Sequence, residues 1–222
     1  MDSPQFTPLT LHQQLSESDM RQRAAAFLAE MRRRRSVRQF SNRPVAREII
    51  VDCVATAATA PSGANLQPWH FVIVESPDVK RRIRSVAERE ERKFYETRAP
   101  DGWLDDLTPL ATGPDKPFLE DAPFLVAVFV ESSRQTATGE RRPNYYARLS
   151  VGIAVGMLIT AVHYAGLVCL AYTPSRMGFL NEVLDQPDDR RLAMILVVGH
   201  PAEDAQVPVL ERKPLDSVVS FA

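Results

Sequence analysis

Two cysteines, four histidines and a net charge of −1 remove several functions from this 222-residue chain at the outset. Cys53 and Cys169 sit in apolar surroundings without CxxC spacing, which reads as two buried free thiols in a reducing compartment. His12, His70, His163 and His200 are scattered, with no HExxH and no carboxylate at ligand spacing, so no metal site is expected. A charge balance this even leaves no broad basic surface to displace counterions from phosphates, which argues against nucleic acid as a partner. Walker and GxGxxG loops are missing too, so a nucleotide would have to be held in some other way. No internal repeat or low-complexity stretch is evident. The opening MDSPQFTPLT has neither a basic leader nor an apolar core, and no signal peptide is expected.

What is present is an ordinary globular composition, 45% hydrophobic and 25% charged. The length suits one well-buried domain with an appended arm, placed at residues 16–222 and 1–15. Helices are expected over Ser16–Met31, with Ser18 a candidate cap, over Ala46–Thr59, and from Pro77 to about Tyr95. Trp69–Glu75, Phe124–Glu131, Leu167–Tyr172 and Leu192–Val198 read as strands, and Phe179–Leu184 as a short helix. The tail ERKPLDSVVSFA is a candidate edge strand.

Leu149–Leu170 has the length and apolarity of a membrane span. Gly166, a natural helix C′ residue, divides it into a buried helix, about Tyr145–Ala165, and a strand. Gly152 and Gly156 lie four apart on that helix and would let two backbones approach, as in a dimer core. Apolar strands alternating with helices indicate an α/β or α+β core covered on both faces.

Three constellations carry chemistry. The run Arg32-Arg33-Arg34-Arg35-Ser36-Val37-Arg38 reads either as a solvated face or as an anion site, since guanidinium forks, a hydroxyl and backbone amides suit a phosphate. Ala60-Pro61-Ser62-Gly63-Ala64, directly after a helix, is a plain loop or a turn that brings backbone close to a flat ligand. Ala171-Tyr172-Thr173-Pro174, where a strand leaves the sheet, places the Thr173 hydroxyl either on a ligand or as a turn cap.

In that order, and together with Ala165-Gly166-Leu167 and Arg212-Lys213-Pro214, these motifs resemble the nitroreductase superfamily, most closely its iodotyrosine deiodinase branch. The resemblance runs from about Arg34 to Asp216. It implies an α+β, three-layer α/β/α fold and an intertwined homodimer around a central mixed sheet, with FMN in a crevice between the chains. Arg34, Arg35, Ser36, Val37, Arg38 and Arg212 would hold the flavin's phosphate and ring edge, where cationic charge stabilises the reduced form. Pro61, Ser62, Gly63, Ala171 and Tyr172 would complete the cofactor site, and the Thr173 hydroxyl would bond flavin N5 and favour one-electron chemistry.

The branch also implies a mobile lid, here about residues 88–118, carrying Glu91, Tyr95 and Lys116. Glu91 and Tyr95 are i,i+4, on one helix face. With Lys116 they would clasp the ammonium and carboxylate of a halotyrosine, while the Ala64 N–H receives its phenolate oxygen. The position two before Lys116 is Pro114, where the branch carries Trp. The expected activity is reductive removal of halide from 3-iodotyrosine and from bromo- and chlorotyrosine, with electrons ultimately from NAD(P)H, directly or through a separate reductase. The rival readings are a general FMN nitroreductase or quinone reductase, a flavin-degrading relative, and a flavin- or halotyrosine-binding protein without turnover. A soluble, cytoplasmic protein with no membrane partner is expected.

Overall fold

The computed structural model describes residues 5–100, 102–173 and 178–222, and divides the chain into residues 1–34 and 35–222. In the first unit, α1 (Glu17–Arg33) starts at Ser16, not Ser18: the Ser16 hydroxyl accepts the Asp19 N–H at 3.1 Å. Ser16 wins because its side chain reaches the N3 amide and leaves Glu17 and Asp19 in the first turn, at the positive end of the helix. Its apolar stripe is not covered: Met20, Phe27 and Leu28 are exposed.

The second unit is built on a four-stranded sheet ordered β1-β2-β6-β5, comprising β1 (Trp69–Val74), β2 (Phe124–Glu131), β5 (Val168–Tyr172) and β6 (Arg190–Gly199). All pairings among these strands are antiparallel. The mixed character expected of the sheet is confined to one parallel bridge, Ser36 to Cys169. A separate hairpin joins β3 (Ser133–Gln135) and β4 (Arg141–Pro143).

Strand β2 is apolar along its length because both of its faces are covered. Leu125, Ala127 and Phe129 enter one core cluster, while Phe124, Val126, Val128 and Val130 enter the other. The first cluster packs under α3 (Pro77–Thr97), α5 (Phe118–Asp121) and α7 (Phe179–Val183). The second packs under α2 (Arg47–Ala58) and α6 (Ala147–Tyr164), giving three layers. Cys53 and Cys169 are buried in this second cluster and form no disulfide among the described residues.

Helix α6 stops where Gly166 takes φ +80°, a conformation that costs glycine nothing. By length and hydropathy alone α6 would cross a membrane. Here Val151, Val155, Leu158 and Val162 pack it on the sheet. The helix is not buried all round, however. Leu149, Gly152, Ile153 and Gly156, at helical spacing, form an open stripe. The tail forms no strand among the described residues; it holds a short 3₁₀ turn, Leu215–Ser217, and exposes Leu215, Val218 and Phe221.

Candidate active site

The site begins with the periodicity of α3. Pro77 opens this helix, and the Ser76 hydroxyl caps it. Ile83, Ala87 and Glu91, four apart, are inward positions and, like Lys80, are buried. In so charged a helix the apolar stripe therefore delivers one carboxylate, Glu91, to the core side.

Lys116 meets it from the segment before α5. Lys116 Nζ lies 3.2 Å from Glu91 Oε2, with the two side chains only 5% and 9% exposed. The Lys116 ammonium also donates to the Gly113 carbonyl, and the Lys116 backbone N–H donates to Glu88 Oε1 at 2.8 Å. Glu88, which the sequence reading did not single out, thus fixes the backbone that carries the lysine. Its place three residues before Glu91 on the same helix is the signal that was available. Glu88 also pairs with Arg84 at 2.8 Å, and Arg92 bridges to Asp115 at 2.9 Å, tying residues 115–116 to α3.

Two aromatic rings wall the pair. The Lys116 ammonium is 5.6 Å from the Tyr95 ring centroid and 5.8 Å from that of Tyr172. The Tyr95 hydroxyl donates to the Thr112 carbonyl at 3.4 Å, and that of Tyr172 to Glu91 Oε1 at 3.3 Å. Burial, then the charge of Glu91, pushes both phenols above their ordinary values, so both remain hydrogen-bond donors. Burial pulls Lys116 down, against the opposing pull of Glu91. Tyr172 was expected among the cofactor residues; its side chain is buried against Phe118 and bonded to Glu91. Its neighbours Ala171 and Thr173 are exposed.

The arginine motif reaches the same region. Val37 donates its N–H to the Cys169 carbonyl at 3.2 Å, laying residues 36–38 beside β5. Arg35 donates to the Pro208 carbonyl, and Ser36 and Arg38 line a crevice of about 360 Å³ with residues 109–111 and 206–208. Arg38 is half-buried and feels Tyr95 electrostatically; desolvation lowers its pKa, and no carboxylate among the described residues pairs with it. A desolvated guanidinium with no carboxylate counter-charge fits an anionic ligand edge. Arg34 closes the first unit, its N–H donating to Met31 at 3.3 Å, and Arg212 lies exposed in the tail.

The Pro61–Ala64 turn stands elsewhere. The Gly63 N–H donates to Ser150 Oγ at 3.4 Å, and a Cβ on Gly63 would come within 3.1 Å of the Tyr145 carbonyl. The Ser62 hydroxyl accepts the Gln67 N–H at 2.9 Å. Ala64 sits at φ 50°, a left-handed conformation uncommon for alanine, and among the described residues no acceptor takes its N–H. No hydrogen bond, ion pair or ring contact among the described residues joins this turn to Glu91, Tyr95, Lys116 or Tyr172. Pro174, the last member of the strand-end motif, lies outside the described residues.

The sequence model of the nitroreductase family matches residues 31–200. An iodotyrosine deiodinase of Haliscomenobacter hydrossis is 45% identical over 216 residues, 97% of each chain. Human iodotyrosine deiodinase 1 is 41% identical over 209 residues, 94% of this chain and 72% of that one. The crystal structure of an oxidized iodotyrosine deiodinase bound to FMN and 3-iodo-L-tyrosine superposes with a TM-score of 0.74 at 34% identity, covering 88% of this chain and 100% of that one.

Proposed function

The chain belongs to the nitroreductase family, and on that premise we propose that it is an FMN-dependent dehalogenase of 3-iodotyrosine and its bromo and chloro analogues. The observation that carries this reading is the buried Glu91–Lys116 pair beside Tyr95. A general reductase of flat aromatics has no use for opposite charges buried at ligand spacing. A zwitterionic amino acid does: its ammonium takes Glu91, and its carboxylate takes Lys116 and the Tyr95 hydroxyl.

Arg35, Ser36, Arg38 and Arg212 would hold FMN at its phosphate and ring edge, with Pro61, Ser62 and Gly63 against the ring. When bound, the flavin supplies the two electrons that, with one proton, convert the aryl carbon–halogen bond to carbon–hydrogen and free halide. The halogen acidifies the neighbouring phenol, so the substrate arrives as a phenolate, and the unclaimed Ala64 N–H would receive it. Tyrosine, whose phenol stays protonated, gains less there. Closure of the lid over the amino-acid end excludes water. Two buried thiols fit the reducing cytoplasm, where we place the enzyme.

The test is a flavin-fluorescence titration of the purified protein. Quenching by 3-iodotyrosine at micromolar levels, with little by tyrosine, is the expected result. Bound flavin with no response would move the assignment to a general nitro- or quinone reductase. Protein that cannot be loaded with FMN would overturn it.

The separation of the Pro61–Ala64 turn from the Glu91 cluster supports a site shared between two chains. So do the open α6 stripe, an adjoining cleft of about 600 Å³ lined by Leu149, Val151 and Gly152, and the uncovered apolar tail. We infer a homodimer. Light scattering is expected to give twice the chain mass. Gly156→Leu, which should strengthen the isolated helix, is expected instead to split the dimer and release FMN. A dimeric, flavin-loaded Gly156→Leu protein would remove α6 from the interface.

A further inference from the structure

Tyr172 stands outside the chemistry assigned above, yet it is one of the most committed side chains in the molecule. It is buried, and its ring meets Phe118 edge-on at 5.7 Å. Leu170, two residues back on the same face of β5, fills the same core cluster with carbon alone. A phenol at position 172 therefore needs a reason, because a buried hydroxyl must be paired or it costs stability. Its partner is Glu91 Oε1, at 3.3 Å, while Lys116 holds Oε2 of the same carboxylate at 3.2 Å.

We propose that Tyr172 is a positioning residue for the ammonium end of the substrate: it holds Glu91 in place from the sheet while Lys116 leaves Glu91 for the ligand. The inference rests on the amino-acid clamp proposed above. In the structure the two clamp charges neutralise each other. A zwitterion inserts by exchange: its ammonium replaces Lys116 at Glu91 Oε2, and its carboxylate replaces Glu91 at Lys116. Each buried charge then keeps a counter-charge throughout.

The exchange works only if Glu91 stays where it is when Lys116 turns away. Glu91 sits on a lid helix, whereas Tyr172 belongs to β5 and is hydrogen-bonded to β6 through the sheet. A donor on Oε1 that does not move leaves Oε2 aimed at the incoming ammonium. Burial and the nearby carboxylate keep the phenol protonated, so this donor persists across the working pH range. The bond is long for a hydroxyl on a carboxylate, and it has room to tighten once the ligand is in place.

Tyr172→Phe keeps the ring and removes only the donor. Three probes separate the possible roles: 3-iodotyrosine, 3-iodotyramine, which keeps the ammonium alone, and 3-(3-iodo-4-hydroxyphenyl)propanoate, which keeps the carboxylate alone. In the FMN-loaded variant, Kd for the two ammonium-bearing probes is expected to rise about 10-fold, the scale of one charged hydrogen bond. Kd for the propanoate is expected to change by less than about 2-fold, and the loss in iodotyrosine turnover should fall on KM more than on kcat. Equal weakening of all three probes would make Tyr172 a packing residue and overturn the proposal, and so would no weakening at all. If the unaltered protein binds iodotyrosine no better than the propanoate, the clamp itself fails and Tyr172 has nothing to position. If it does discriminate and Tyr172→Phe discriminates equally well, only the positioning role fails.

Discussion

Glu91→Gln and Lys116→Met are each expected to weaken 3-iodotyrosine binding by about 10- to 150-fold, corresponding to roughly 1.5–3 kcal/mol for a charged hydrogen bond. Each single change should also loosen the proposed lid, because it leaves the other partner as an unpaired charge in a site that is 5% exposed on one side and 9% on the other. Breaking such a pair from one side costs about 3–5 kcal/mol, whereas replacing both members with uncharged side chains of similar volume is often close to neutral. The double variant should therefore resist proteolysis within the lid better than either single variant, while binding iodotyrosine no better than they do. That opposition, stability recovered without affinity, separates a clamp from a merely structural ion pair. Limited proteolysis and flavin quenching on the same four proteins measure both. Affinity recovered together with stability would mean that the pair only braces the lid and touches no ligand. FMN content should stay at its original level in all four, since the flavin is assigned to other residues.

What the sequence disclosed and what it withheld follow the same division between local and long-range order. Strand β2 was legible at both ends because FLVAVFVE is a short apolar run rich in valine and phenylalanine, too short for a buried helix and of the length of a strand covered on both faces. The end of α6 was legible because Gly166, a natural helix C′ residue, is followed by a strand-like apolar segment. The open stripe on α6 was not, since an interior helix and a helix facing a second subunit carry the same residues. The tail likewise has the composition of an edge strand but finds no partner within one chain.

In the site, Glu91, Tyr95 and Lys116 were singled out by the resemblance to the deiodinase branch, which their spacing alone would not have done. Their mutual arrangement did not follow from it. Two local periods pointed part of the way: the four-residue stripe of α3 runs through Glu91, and the two-residue alternation of β5 sets Tyr172 on the face of Leu170. That these two faces meet across 81 residues of sequence is a property of the layered packing, which no single period encodes. The Tyr172 side chain faces this cluster while its neighbours Ala171 and Thr173 are exposed, because adjacent strand residues point to opposite sides of the sheet.

Thr173→Ala is expected to reduce halide release from 3-iodotyrosine by about 100-fold while leaving iodotyrosine affinity within about 2-fold. The two effects separate because the strand end divides the site. Tyr172 is buried toward Glu91 and the amino-acid clamp, and the exposed residues on either side of it, Ala171 and Thr173, are free of that cluster. The affinity term, made by Glu91, Tyr95 and Lys116, should therefore be untouched. The proposed work of the Thr173 hydroxyl is a hydrogen bond to the flavin that favours single-electron over hydride transfer. Breaking a carbon–halogen bond depends on that choice more than reduction of a nitroaromatic does. Nitroaromatic reduction by the variant should accordingly persist at a substantial fraction of its original rate, and Thr173→Ser, which keeps the hydroxyl, should restore most of the halide release. Loss of both activities in parallel would make Thr173 a structural cap on the turn after β5. A selective rise in iodotyrosine Kd would instead assign the hydroxyl to the substrate and leave the choice between one- and two-electron chemistry to residues around the Arg38 crevice.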